Sequence, residues 1–378
     1  MKLRILHLYR PRLPSTRAQS IQVLGTCHGL ASLGHEVTLL ADPPRDRMPV
    51  EELPTVEEVL AWYDLPPVEG LDLKLAPTSI PAAVSFWFRK HALFWIWNST
   101  REHADNSVIM GRAKRYIDEY LVLPFGPPVV MEAHEVDSQL AITRGETPQD
   151  WLKLERRLLA EVDGLVTNCA GTLSLLEQVH GKEVLPPNRA VVHNATNPRR
   201  VRNHLPGAER VVGYAGSLRR FKGVSILSDL ARLLPDGWTL EILGGSSEER
   251  SALGHLGPSL RLVGELPYAE IPDRVARWHA AVICLDDNLF GAHLANPLKL
   301  WDYLAVGVPL VAADLPTIRE VLGPESTEFY RPGDVHSLLG ATLRAADPDR
   351  RLAVRRRRLR SWQSRARQLE AVLAGTLA

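Results

Sequence analysis

Cysteine is scarce in this chain: Cys27, Cys169 and Cys284 are the three among 378 residues, and they lie far apart. Each sits in or beside an apolar run, which points to buried, reduced thiols and excludes a disulfide framework. Uninterrupted apolar runs of ~18 residues are missing as well, so no segment reads as a membrane-spanning helix. Net charge is only +1 although 24% of the residues are charged, which removes any global argument for nucleic acid or an anionic membrane. The pattern Gly-x-Gly-x-x-Gly follows neither Tyr9 nor Ala215, which argues against a dinucleotide-dependent dehydrogenase. No fixed-period repeat is visible. The opening MKLRILHLYRP reads as a strand rather than an export signal, which weighs against an exported two-lobed binding protein.

What is present is length and β/α alternation. With 45% apolar residues the chain can build two domains with substantial cores. Leu3 to Tyr9 reads as a buried strand, Ile21, Leu24, Cys27, Leu30 and Ala31 as one helical face, and Val37 to Ala41 as a second strand. Such a unit starts a parallel sheet. The pattern breaks from Pro43 to Pro81, where eight prolines predict a functional loop region or a poorly ordered one. The stretch VSFWFRKHALFWIWN at 84–98 is aromatic and basic, and is expected to pack internally or to line an acceptor groove, with an interfacial helix as the alternative. Val129 to Glu132 then reads as a strand running into Ala133, His134, Glu135, Val136 and Asp137. Ligands of open parallel sheets bind beyond carboxyl ends of strands, and His134 falls at such an end. Beyond Pro186-Pro187 a second series begins with a strand at Val211–Ala215, a basic loop from Gly216 to Gly223, and a helix facing inward with Ile226, Leu227, Leu230 and Leu233. Strands are expected at Trp238–Leu243, Leu260–Val263 and Ala281–Leu285, with a capping box made by Ser246 and Glu249. Asp286-Asp287-Asn288 reads as a solvated strand end rather than a metal motif.

The chemistry concentrates in NPLKLWDYLAVGVPLVAADLPTIREVL, from Asn296 to Leu322. Pro297 suits a first helical turn, and Leu298, Leu300, Trp301, Leu304 and Ala305 follow at helical spacing. Gly307 stops the helix, and Val308 to Ala313 reads as a buried strand. A helix starting at Pro297 aims unpaired N–H groups at whatever lies before it, and Lys299 adds a full charge. Asp302 is placed to accept from a hydroxyl beside such an anion. Phosphate in front and ribose beside it would suit a nucleoside diphosphate.

This segment resembles the nucleotide-sugar signature of retaining glycosyltransferases of family 4, which have the GT-B fold. The family often carries two glutamates eight residues apart; the second matches Asp302, and Leu294 stands at the first. Other stretches resemble the family as well: SLGHEV at 32–37, VVMEAHEVD at 129–137, AVVHNATNP at 190–198, the basic loop from Gly216 to Gly223, and Ser361-Trp362 at the start of the last helix. The resemblance implies an α/β GT-B architecture, two Rossmann-like domains facing a cleft, with a C-terminal helix crossing back to the N-terminal domain. The expected divisions are 1–186 (acceptor), 187–355 (donor) and 356–378 (the returning helix), with closure about the linker.

The implied reaction is metal-independent, retaining transfer of a sugar, of hexosyl type, from an NDP-sugar, without a cofactor. His134 and Lys222 are the catalytic candidates. Gly216, Ser217, Arg219, Arg220, Lys222, Leu298 and Lys299 would hold the diphosphate, and Asp302 the ribose. His134, Asn296 and Pro297 would meet the sugar, and Leu266 and Tyr268 the base. Ser217 stands where the family usually has Arg, so Arg219 or Arg220 is expected to supply the guanidinium. The first loop, PRLPSTRAQS, lacks the family's usual glycine, and Ser15, Thr16 and Gln19 are the polar residues it offers instead. A nucleotide-sugar 2-epimerase of the same fold is the nearest alternative, but no pair of acid/base carboxylates is evident. A non-catalytic nucleotide-sugar binding protein is the other. The acceptor, whether sugar, glycolipid, metabolite or protein, is not indicated, nor is the oligomeric state; nucleic acid is not expected. A cytoplasmic location is expected. Nine arginines between Arg350 and Arg367, with no acid among them, leave a peripheral contact with the inner face of a membrane as an expectation.

Overall fold

The computed structural model describes residues 1–9, 11–44, 52–75, 104–122, 126–197, 208–251, 253, 259–349, 354 and 359–377. The aromatic stretch at 84–98 and most of the arginine cluster from 350 to 358 lie outside the described residues. Two compact units emerge, Met1–His193 with Trp362–Ala378, and Asn194–Ser361.

The first unit holds a seven-stranded sheet of β1 (Arg4–Leu8), β2 (Glu36–Ala41), β3 (Leu71–Leu75), β4 (Ser107–Gly111), β5 (Val129–Ala133), β6 (Gly164–Thr167) and β7 (Arg189–Val191). Their order is β3-β2-β1-β4-β5-β6-β7, and every pairing is parallel. All side chains of β4, β5 and β6 are buried, as strands covered on both faces require. Where the proline-rich region is expected to be a functional loop or poorly ordered, its described part carries regular structure. It contains the helix Val56–Trp62, started by a capping box of Thr55 and Glu58, and the edge strand β3. Prolines interrupt the stretch before and after these elements and hide their short periods.

The second unit holds a six-stranded sheet of β8 (Arg210–Ala215), β9 (Trp238–Leu243), β10 (Leu260–Gly264), β11 (Ala280–Ile283), β12 (Leu310–Ala313) and β13 (Thr327–Tyr330). Its order is β10-β9-β8-β11-β12-β13, again parallel throughout. The order reverses between β8 and β11, which opens a crevice at their carboxyl ends. Gly213 in β8 lies flat against the Trp278 ring, where any Cβ would collide, and Trp278 Nε1 donates to Glu241 Oε1 at 2.9 Å. The expected capping box is present: Glu249 N donates to Ser246 Oγ and Ser246 N to Glu249 Oε2.

The C-terminal helix, Trp362–Gly375, belongs to the first unit and packs along the first helix, Ala18–Ala31. Gly25 and Gly29, one turn apart, make the room: the Trp362 ring covers Gly25 and its carbonyl sits on Gly29. Asn188 Nδ2 donates to Val372 O at 2.9 Å and ties the end of this helix to the sheet.

Candidate functional site

At the carboxyl end of β8 the chain turns through Gly216 at φ 135°, a backbone conformation that side chains disfavour. A Cβ there would stand 2.9 Å from Lys299 Nζ, so the missing side chain is what admits the ammonium. Lys299 lies in the first turn of the helix Leu298–Val306, 3.6 Å from the centre of the Tyr214 ring. Lys222 donates to Ser217 Oγ at 2.9 Å. Burial lowers the pKa of both amines; Arg219 adds to the effect at Lys222, and Lys222 adds to it at Lys299, which falls well below the ordinary lysine value. No carboxylate among the described residues forms an ion pair with either lysine. Two neighbouring cations without an ion-paired acid can receive a polyanion.

The loop is fixed by its own backbone. Tyr214 Oη donates to Ser217 O at 2.8 Å, Leu218 N to Glu249 Oε2 at 3.1 Å, and Ala215 N to Tyr303 Oη at 2.7 Å. Gly223, at φ 67°, passes directly against Asp286 at the end of β11. Gly216, Ser217, Lys222, Leu298 and Lys299 therefore gather at one strand end. Arg219 is exposed on the same loop, and the side chain of Arg220 lies outside the described ones.

Asp302 sits one turn further along the helix. Its Oδ1 accepts from Thr196 Oγ1 at 2.8 Å and Tyr268 Oη at 3.0 Å. The carboxylate thus organises three segments, and a sugar hydroxyl would join or displace these donors. Asn296 Oδ1 accepts from Trp301 Nε1 at 2.9 Å and from Asn194 N at 3.3 Å, while its carbonyl accepts from Asn194 Nδ2 at 2.7 Å. That oxygen is committed to holding the 194–197 segment on the helix start, a role the sequence does not reveal. Leu294 is buried at the end of a π-helical turn, Phe290–Leu294. Asn288 braces that turn by donating from Nδ2 to Phe221 O and accepting from Gly291 N. Leu266 is half-buried beside Tyr268. Among the described residues no three His, Cys, Asp or Glu side chains gather as metal ligands.

In the first unit His134 follows β5 and is buried, with Nε2 2.7 Å from Glu132 Oε1. Burial and then Arg112 lower its pKa to about 4, against the opposing pull of Glu132. The same Oε1 accepts from Gln22 Nε2 at 2.9 Å and from Arg365 Nη2. Arg365 also donates to Thr26 Oγ1 at 2.7 Å, and Arg112 to Gln22 Oε1 at 2.9 Å. Glu132 stands in the stretch read around His134, whereas Arg365 lies 233 residues further on and left no signal. In the first loop, Ser15 N donates to Tyr63 Oη at 2.7 Å and Tyr63 Oη donates back to Ser15 O, so this serine anchors the loop. Thr16 is exposed and Gln19 half-buried.

Residues 18–195 match the family described as Glycosyl transferase 4-like domain, and residues 209–347 the family described as Glycosyl transferases group 1. The chain carries two glycosyltransferase domains. Solved structures place those domains in the GT-B fold. Sucrose-phosphate synthase from Thermosynechococcus elongatus aligns at 18% identity over 98% of this chain and 97% of its own, with a TM-score of 0.73. The catalytic domain of starch synthase IV from Arabidopsis thaliana, bound to ADP and acarbose, aligns at 13% identity over 100% of both chains, with a TM-score of 0.70. HepE from Anabaena, in complex with UDP and glucose, aligns at 15% identity over 98% of this chain and 99% of its own, with a TM-score of 0.67. No curated protein matches in sequence. At these identities the glycosyltransferase neighbours establish the fold, and function rests on the residues of the site. No helix among the described residues is long and apolar enough to cross a membrane.

Proposed function

We propose that this protein is a retaining, metal-independent glycosyltransferase of family 4 that takes its sugar from a nucleoside diphosphate sugar. The observation that carries this reading is the pair Lys222 and Lys299, set against Gly216 and Ser217 with no acid ion-paired to either among the described residues. A diphosphate gathers negative charge as the bond to the anomeric carbon breaks. Fixed cations and the N–H groups of Leu298 and Lys299 interact most strongly with that charge in the transition state. Asp302 accepts from the ribose, taking over the place of Thr196 or Tyr268, and the segment of Leu266 and Tyr268 holds the base. His134 orients the sugar. The Gly216–Lys222 loop offers no carboxylate nucleophile, and attack on the face the diphosphate leaves accounts for retention. Complexes of related folds with UDP and with ADP support a nucleotide in this role and make both the first ligands to try.

Calorimetric titration with UDP, ADP and GDP in excess chelator tests the donor site; at least one should bind, and binding only with Mg²⁺ or Mn²⁺ present would end the metal-independent reading. Asp302→Ala should weaken that nucleotide by roughly ten- to a hundredfold, the worth of one charged-group hydrogen bond at about 1.5–3 kcal/mol. Asp302→Glu should retain more. The anomeric configuration of the product, read by NMR before mutarotation, decides retention.

A further inference from the structure

Arg365 leaves the C-terminal helix for the interior of the first unit and has 0% of its surface exposed. A guanidinium in that position needs a partner, and it finds Glu132, itself fully buried. Glu132 Oε1 is crowded by donors: Arg365 Nη2, Gln22 Nε2 at 2.9 Å and the His134 ring at 2.7 Å. A carboxylate gathering donors in this way is ionised, and Arg365 foremost holds Glu132 well below the usual carboxylate range against the cost of burial. An ionised carboxylate can only accept, so the proton on His134 must sit on Nε2. Nδ1 of the neutral ring is then a lone-pair acceptor, and it has no hydrogen-bond partner among the described residues.

We propose that Arg365 is a positioning residue: by neutralising Glu132 it keeps His134 in its uncharged Nε2–H form and presents Nδ1 as an acceptor for a sugar hydroxyl. The sugar part rests on the role proposed above for His134; the tautomer part does not. Charges face His134 from three elements. Glu132 on β5 favours the imidazolium, while Arg112 after β4 and Arg365 on the C-terminal helix oppose it. His7 on β1 faces the same Glu132 and is held neutral by burial. Lys114, nearby, is taken by Asp137 and Glu155 and adds no free charge to the set. Without Arg365 the balance tips: Glu132 would draw a proton onto His134 and turn Nδ1 from acceptor to donor. A purely mechanical staple between helix and sheet would leave the ring's protonation unchanged.

Two-bond ¹H–¹⁵N spectra of the full-length protein with ¹⁵N-labelled histidine read the state of His134 without any donor. The wild type should show Nε2–H and stay neutral down to about pH 5; an Nδ1–H tautomer, or titration at the ordinary histidine value, would overturn the proposal without any variant. Arg365→Met should raise the His134 pKa by about one unit or more. Glu132→Gln with Arg365→Met, which removes both charges, should return the ring to neutrality, and Arg365→Lys should stay close to wild type. A folded Arg365→Met protein with an unmoved His134 would leave Arg365 as a staple only. Should Arg365→Met not fold, the wild-type tautomer and titration still decide. With a donor in hand, kcat of Arg365→Met should acquire an acid limb that the double variant loses. If the spectra follow expectation and His134→Ala turns over normally, the positioning stands and the sugar contact of His134 falls.

Discussion

Two strand ends in this molecule treat charge in opposite ways. At the carboxyl end of β5, Glu132, His134 and Arg365 are buried together, and acid meets base within hydrogen-bonding distance. Beyond β8, burial depresses the protonation of both Lys222 and Lys299, Lys222 depresses that of Lys299 further, and among the described residues neither is ion-paired with an acid. Both lie at carboxyl ends of parallel strands, so topology does not make the difference. A buried pair is costly to break and adds little when intact, which suits it to fixing one geometry. Unbalanced cations cost stability until an anion arrives, and they mark where a ligand is expected.

The sharpest way to break the comparison is to remove one acid. Glu132→Ala should cost about 3–5 kcal/mol, because it strands Arg365 in the core. Lys222→Ala should cost clearly less, since it gives up one hydrogen bond, to Ser217 Oγ, and strands no buried charge. Urea midpoints for the two proteins check both, and equal losses would dissolve the contrast. Next in size is turnover. Lys222→Ala should lower kcat by roughly 10²–10³ with a smaller change in donor Kd, and Lys222→Arg should recover part of it. If Lys222→Ala turned over normally while Arg219→Ala did not, the phosphate contact would belong to the guanidinium instead. Gly29→Ala pushes a methyl into the carbonyl of Trp362. It should cost about 1–3 kcal/mol and loosen the helix that carries Arg365, seen as faster amide exchange in 362–375.

A further contrast lies in the pH dependence. His7 and His134 have pKa values lowered to about 4, by burial first. Between about pH 6.5 and 4 the unfolded chain binds more protons at these positions. Stability should therefore rise with pH across that window and fall on acidification, by about 1.4 kcal/mol per pH unit for each histidine at most. Depressed lysines carry the same sign at the alkaline end. The slope due to Lys222 and Lys299 should flatten when UDP is bound, whereas the acid slope from the histidines should not. Melting curves across pH with and without nucleotide separate the two strand ends.

Much of this was legible in order along the chain. Trp238–Leu243 was read to the residue, and β1, β2, β5 and β8 to within one residue at either end, because buried parallel strands are unbroken apolar runs. The Gly216–Lys222 loop and the helix after Pro297 were legible too, since local chemistry builds them: glycine at a positive φ, proline opening a helix, lysine in its first turn. Elements interrupted by proline were not. The helix Val56–Trp62 and strand β3 are only seven and five residues long and stand among prolines, so each offers too short a period to stand out.

Side-chain partnerships were decided by tertiary structure alone. Asp302 reads as a ribose ligand from spacing, yet only the fold shows Thr196 and Tyr268 already on its oxygen. Arg365 reads as one more cation in an arginine-rich tail, yet it is the counter-charge of Glu132 in the core. Periodicity reports which face of an element is buried, since burial repeats with the helical or strand period. It carries no record of which residue from a distant segment arrives there, and a buried charge is defined by that arrival.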